Sequence, residues 1–185
     1  MSTQRHIWPV SYGGSGTNWL AERAEAAGRL IDRPWWESIG CHPAAPCPHP
    51  GPAIPVYIYR RPSLAFASQV ARGLVSINLV KLGGARPDET DVHAFGRLAA
   101  AQMRAWGRHP GAICVRFEAL ADDLVRRVLA DALGLPAGHL DTWAPPAERD
   151  ADDDAFPEST AVWLGMPNLM LDVRSGYTTP RGDSK

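Results

Sequence analysis

Ser11-Tyr12-Gly13-Gly14-Ser15-Gly16-Thr17-Asn18 is a run of glycines and small polar residues set between a short apolar segment and an amphipathic one. Ahead of it, His6 to Ser11 is partly apolar and predicts a buried first strand. Behind it, Trp19, Leu20, Ala24, Ala27 and Ile31 recur at helical spacing, predicting a helix from about Trp19 to Ile31. Strand, glycine loop, helix is the layout of a phosphate site in an α/β fold. Glycine lets backbone N–H groups close around an anion, and the helix dipole favours negative charge there. Ser15 and Thr17 add hydroxyl donors. The loop lacks a terminal Gly-Lys-Ser/Thr, since Asn18 and Trp19 follow Thr17, so it is not the phosphate loop of an NTP-cleaving enzyme. Trp19 is either core or a flat face on which an adenine stacks.

Outward from the loop, residues 43 to 55 hold six prolines and a glycine, which predicts an extended loop. Val56-Tyr57-Ile58-Tyr59 is β-branched and aromatic, the signature of a strand. Pro62 suits the first turn of a helix running to about Leu82, where Gly83-Gly84 stops it. Asp91 is the expected cap of a second long helix reaching about Arg108. Leu98, Ala101, Gln102 and Ala105 lie along it, with Met103 and Trp106 on a neighbouring face. Ala112-Ile113-Cys114-Val115, within Gly111 to Phe117, predicts another buried strand. A helix from Ala121 to Leu133 follows, with Gly134 as its C-cap. The order β-α, β-α-α, β-α predicts an α/β fold with a parallel sheet covered by helices. The chain reads as a single domain over 1–185, with its core at about 6–140. From about 141 to 185 an irregular segment is expected, because Pro145-Pro146 and the acidic run Asp150 to Asp154 break periodicity. That run reads as a solvated acidic loop.

Composition bounds the partners. The chain is 45% hydrophobic and 21% charged, which excludes a wholly disordered chain. No apolar run approaches the roughly 18 residues of a membrane span, and no apolar stretch suited to a signal peptide follows Met1 to His6. The expectation is a cytoplasmic protein without membrane partners. A net charge of −1 carries no strong nucleic-acid signal. All the basic residues but Lys81 and Lys185 are arginines, so a bound phosphate is expected to meet guanidinium and backbone N–H groups. Three cysteines, Cys41, Cys47 and Cys114, make no disulfide framework. Cys41, His42, Cys47 and His49 match no common zinc spacing and are interrupted by three prolines. They read as a stiffened loop, and no metal is expected.

The segment Tyr12-Gly13-Gly14-Ser15-Gly16-Thr17-Asn18-Trp19-Leu20 resembles the 5′-phosphosulfate loop of the sulfotransferases that use 3′-phosphoadenosine 5′-phosphosulfate (PAPS), which reads roughly Tyr-Pro-Lys-Ser-Gly-Thr-Thr-Trp-Leu. A second family signature is a strand, then Arg-x-Pro, then a serine eight residues after the arginine. Here Val56-Tyr57-Ile58-Tyr59-Arg60-Arg61-Pro62 is followed by Ser68 at that spacing. Val115-Arg116-Phe117-Glu118-Ala119-Leu120 resembles the family's Arg-Tyr-Glu-Asp-Leu strand end. Leu133-Gly134-Leu135-Pro136 also fits, and Arg174-Ser175-Gly176 resembles its Arg-Lys-Gly nucleotide loop. The resemblance spans most of residues 7 to 140. It implies a P-loop three-layer sandwich and PAPS as co-substrate without a metal. Gly13, Gly14, Ser15, Gly16, Thr17, Asn18 and Trp19 would contact the nucleotide, with Arg60 and Ser68 on the 3′-phosphate and Arg174 and Gly176 in the nucleotide loop. It implies transfer of a sulfuryl group to a hydroxyl of a small-molecule or glycan acceptor. The family's loop lysine stands as Gly14 here, and the chain is shorter than typical members.

Sulfuryl transfer to an alcohol needs a group to take the hydroxyl proton, and a histidine titrating near neutrality suits that task. The family places one in a Lys-Thr-His-x-Pro segment ahead of the Arg-x-Pro strand. Gly40-Cys41-His42-Pro43 lies eighteen residues before Arg60, so His42 is the expected base, with His49 the alternative. Two other readings stay open: a P-loop phosphotransferase such as a nucleoside kinase, against which the absent loop lysine counts, and a nucleotide-binding module without catalysis, which Gly14 favours. The acceptor is not legible, and a homodimer stays open as a partner.

Overall fold

Alternation along three short strands builds a sheet with two buried faces. The computed structural model describes residues 5–49, 51–144 and 151–171, without the side chain of residue 39. Strands β1 (His6–Val10), β2 (Ala53–Tyr59) and β3 (Ile113–Arg116) pair in parallel. A two-residue strand β4 (Leu169–Met170) adds antiparallel to β3, giving an open sheet of order β1-β2-β3-β4. Pro55 is tolerated in β2 because the ladder with β3 begins only at Val56, one residue later.

Odd and even positions go to different layers. Ile7, Val56, Ile58, Ile113 and Val115 face a core shared with Leu20 and Ala24 of helix α1 (Thr17–Ala26) and Leu129 and Leu133 of α6 (Asp123–Leu133). Trp8, Val10, Tyr57, Tyr59 and Cys114 face the other core. There they meet α3 (Pro62–Val70), α4 (Val75–Lys81) and α5 (Asp91–Trp106), through Ala65, Leu79, Phe95, Met103 and Trp106. The protein is therefore an α/β structure with a mostly parallel sheet and helices on both faces. Between α1 and β2 come a short helical turn α2 (Arg33–Trp35) and a π-helical turn over Trp36–Gly40. Each large apolar side chain removed from water contributes about 1.5–3 kcal/mol. The second face gains aromatic contacts besides: Tyr57 stacks on Trp106 at 5.9 Å, and Trp8 meets Trp106 edge-on at 5.4 Å.

Several element boundaries differ from the sequence reading, each for a local reason. Helix α1 ends at Ala26, not Ile31. Gly28 takes φ 64°, its N–H bonds Glu25 O, and Arg29 N–H bonds Ala24 O, which is a Schellman ending. Leu30 then pairs with Ile7 as an isolated bridge. The helix expected over Pro62 to Leu82 is two helices, split at Gly73 by the same motif: φ 64°, Gly73 N–H to Val70 O, and Leu74 N–H to Gln69 O. Thr90, not Asp91, caps α5, its hydroxyl accepting from His93 N–H. The buried stripe of α5 runs through Phe95, Leu98, Gln102, Met103 and Trp106, while Ala101 is exposed. A 3₁₀ turn over Phe117–Ala121 precedes α6, which starts at Asp123 with Asp122 as its cap. Gly134 is its C-cap as expected, at φ 61°.

The region after 141 is not irregular throughout. Helix α7 (Pro157–Gly165) packs on α5 and leads into β4. The acidic run is also not simply solvated: Asp153 makes a two-pronged pair with the Arg61 guanidinium and accepts from Ser63 Oγ at 2.5 Å, while Asp152 and Asp154 are exposed. The Arg61 bond, aided by Ser63, holds the Asp153 carboxyl below its ordinary range against the opposing effect of burial. A depressed carboxyl stabilises the fold above its unfolded pKa and loses that contribution as pH falls through the folded one. Asp153→Asn is therefore expected to cost about 1 kcal/mol at pH 7, the pair being partly exposed. In urea titrations the difference from wild type should close as pH drops below about 4; a gap unchanged at acid pH sinks the assignment.

Candidate functional site

Parallel pairing of β1 with β2 brings their C-terminal ends side by side, the edge where open α/β sheets bind ligands. Tyr12 locks the two ends together. Its hydroxyl accepts from Arg60 N–H at 2.9 Å and donates to Arg60 O. Burial pushes the Tyr12 phenol well above its ordinary range, so the donated proton stays in place. Gln69 Nε2 donates to Tyr12 O at 3.2 Å, and Asn78 Nδ2 donates to Gln69 Oε1 at 3.1 Å.

The loop between β1 and α1 needs its glycines. Gly13, Gly14 and Gly16 take φ 93°, 68° and 85°. A Cβ on Gly13 would meet Asn78 Nδ2 at 2.8 Å and Gln69 Nε2 at 2.9 Å. One on Gly14 would come under 3.0 Å from the Ala65 carbonyl, and one on Gly16 under 3.0 Å from the Phe117 ring. Ser11 Oγ accepts Gly13 N–H at 2.9 Å, and Ser15 Oγ donates to Gly13 O at 3.1 Å. The cap residue of α1 is Gly16, which has no side chain to accept from the first-turn N–H groups.

His42 is held against this loop by backbone. Ser11 N–H donates to Cys41 O at 3.1 Å, and His42 Nδ1 lies 2.8 Å from Ser11 O. Buried Gln102 of α5 bridges Ser11 O (3.1 Å) and Pro43 O (2.6 Å). A carbonyl only accepts, so Nδ1 carries the proton and Nε2 is the basic nitrogen. Burial, joined by the charges of Lys81 and Arg72, pushes the imidazole down to about 4, against the raising effect of the Ser11 bond. The expectation of a near-neutral titration is thus corrected: the ring is uncharged throughout the physiological range.

A depression of about 220 Å³ is lined by Gly14, Ser15, Gly16, Thr17, Asn18 and His42 together with Arg72, Leu74, Ile77, Asn78 and Lys81. The loop and the expected base therefore share one cavity. Arg60 does not line it. Arg60 is 5% exposed, its Nη1 donates to Gly14 O at 3.2 Å, and its guanidinium lies 4.9 Å from the Phe117 ring centre. Ser68 sits on α3 with its carbonyl accepting from Arg72 Nε, also outside this lining. Trp19 packs half-buried on the α1–α6 core and is not among the residues lining the depression. Arg174 and Gly176 lie outside the described residues. His49, the alternative base, stands edge-on to Trp35 at 4.7 Å.

Sequence reasoning left Lys81, with Lys185, as a replacement for the family's loop lysine, and it missed Arg72, Asn78, Gln69 and Gln102. The last two carried a signal: each is a polar residue on an otherwise apolar helical stripe. Lys81 Nζ donates to Glu37 O at 2.8 Å and lies 3.6 Å from Cys41 Sγ. A second depression of about 290 Å³ shares Asn18 and is lined by Glu22, Arg33, Trp36, Glu37 and Cys41. Among the described residues no three potential metal ligands cluster, and no helix is long and apolar enough to cross a membrane. Comparison with protein-family models, curated proteins and solved structures finds no match to this chain.

Proposed function

We propose that the protein is a sulfotransferase that moves a sulfuryl group from PAPS to a hydroxyl of a small-molecule or glycan acceptor, on a P-loop three-layer sandwich. The observation that carries this reading is the uncapped glycine loop sharing one cationic depression with an uncharged histidine. The phosphosulfate lies on the loop N–H groups at the start of α1, where dipole and donors favour an anion. The acceptor occupies the neighbouring depression, which holds Cys41, the residue before His42. The acceptor oxygen bonds the sulfur as the bond from sulfur to the 5′-phosphate oxygen breaks. The hydroxyl proton passes to His42 Nε2, and 3′-phosphoadenosine 5′-phosphate (PAP) leaves. Backbone N–H groups of residues 14 to 17 stabilise charge growing on the bridging oxygen. The assignment of Arg60 and Ser68 to the 3′-phosphate, and of Arg174 and Gly176 to a nucleotide loop, is carried by the resemblance, because Arg60 is engaged with the glycine loop itself. Three free thiols, Cys41, Cys47 and Cys114, support a reducing, cytoplasmic setting.

PAP is expected to raise the melting temperature and ATP with magnesium to do so far less. At 100 times its dissociation constant a ligand adds about 2.7 kcal/mol of stability. An equal shift with ATP removes the case for a 3′-phosphate subsite and favours the phosphotransferase reading. A PAP shift without turnover on any acceptor favours the non-catalytic module.

A further inference from the structure

We propose that Lys81 joins Arg72 as a side-chain cation of the anion site, so that the bound oxyanion lies between Lys81 and His42. The inference rests on the reading of this depression as the seat of an anionic donor. No residue from Tyr12 to Asn18 carries a cationic side chain, and the backbone at Gly14 leaves no room for one. Charge must therefore come from another element. Arg60 is turned onto the Gly14 carbonyl and the Phe117 ring, behind the loop. Arg72, whose Nε donates to Ser68 O at 3.1 Å, lines the depression, and so does Lys81, the last residue of helix α4.

Two contacts fix the ammonium. Glu37 O accepts at 2.8 Å and Cys41 Sγ lies at 3.6 Å, so the charge is anchored on the residue next to His42. An ammonium has three donors; one is taken by Glu37, and a thiol is a weak acceptor. The remaining donor capacity suits a sulfate or phosphate oxygen. A charge held in place before the ligand arrives needs no reorganisation when it binds. The same charge acts on His42, since both side chains line one cavity. Lys81 thus couples the grip on the anion to the protonation of the base.

The test uses inorganic pyrophosphate, the smallest probe that mimics a phosphosulfate, in calorimetric titrations of the full chain. Lys81→Met is expected to bind it about tenfold more weakly than wild type, while Lys81→Arg stays within about threefold. In NMR titrations the His42 imidazole should titrate at higher pH in Lys81→Met and not in Lys81→Arg, a shift that a merely structural tie to Glu37 would not give. If Lys81→Met folds poorly, wild type supplies the answer. Saturating pyrophosphate should slow amine acylation at Lys81 about tenfold, read by peptide mass spectrometry. Unchanged pyrophosphate affinity in Lys81→Met, or an unchanged acylation rate at Lys81 under saturation, overturns the proposal while leaving the donor reading standing. Wild type that binds neither pyrophosphate nor PAP overturns the donor reading itself.

Discussion

Gly14→Lys is expected to destabilise the protein by roughly 2–5 kcal/mol and to bring no gain in transfer rate. The loop of the resembling family carries a lysine at this place, so the substitution looks like a repair. The backbone argues otherwise. Gly14 sits at φ 68°, a left-handed conformation that costs a side-chain-bearing residue about 1–2 kcal/mol. A Cβ there also comes under 3.0 Å from the Ala65 carbonyl oxygen, part of the α3 backbone. Relieving that clash moves a helix or opens the loop, at a cost of about 1–3 kcal/mol more. Gly28→Lys is the control: φ is 64° and a Cβ there meets nothing within 4 Å, so only the conformational penalty applies. Urea unfolding of both variants decides the matter. Equal stabilities mean that the α3 backbone does not confine Gly14.

His42→Ala is expected to lower transfer by about 10²–10⁴-fold while leaving PAP affinity nearly unchanged. The reasoning starts from the pinned ring. Nδ1 is committed to Ser11 O, so Nε2 accepts the proton and must be free of one at the start. With the free imidazole pushed down to about 4, kcat/KM should stay flat from pH 8 to pH 5 and fall only near pH 4. A bound anionic donor offsets the Lys81 and Arg72 charges and raises the ring's basicity. The acid limb of kcat should therefore lie above that of kcat/KM, where proton transfer has more driving force. His49→Ala should keep its rate, because that ring packs on Trp35. A variant lacking His42 but retaining full activity would falsify the general-base scheme.

The glycine loop was legible because its cause is local. Three glycines close together answer a demand for positive φ that no other residue meets as readily. The strands were legible for the same reason: Val56-Tyr57-Ile58-Tyr59 states its own conformation and its own two-faced burial. Gly134 announced the end of α6. Gly73 sent an equally local signal that the apolar spacing on either side obscured, and α3 and α4 were read as one helix.

The rest depended on partners far away in the chain. Asp153 stands 92 residues from Arg61, and nothing in the acidic run marks one carboxylate as paired and its neighbours as solvated. Helix α7 has little amphipathic pattern and owes its place to packing on α5. Arg60 at a strand end reads as a ligand contact, and only the approach of Gly14 and Phe117 shows that it also holds the loop. Gln102 stands out in sequence only as a polar residue on an apolar stripe, and its role appears once Ser11 and Pro43 arrive on either side of it. Sequence alone determined where backbone conformation had to change: a glycine loop at the end of a buried strand, with a histidine in a proline-stiffened segment. Tertiary structure alone decided which charges face that loop. A side chain's charge acts over a few ångströms of space, and the distance between Lys81 and His42 is set by how α4 and the 41–43 segment pack, not by their separation along the chain.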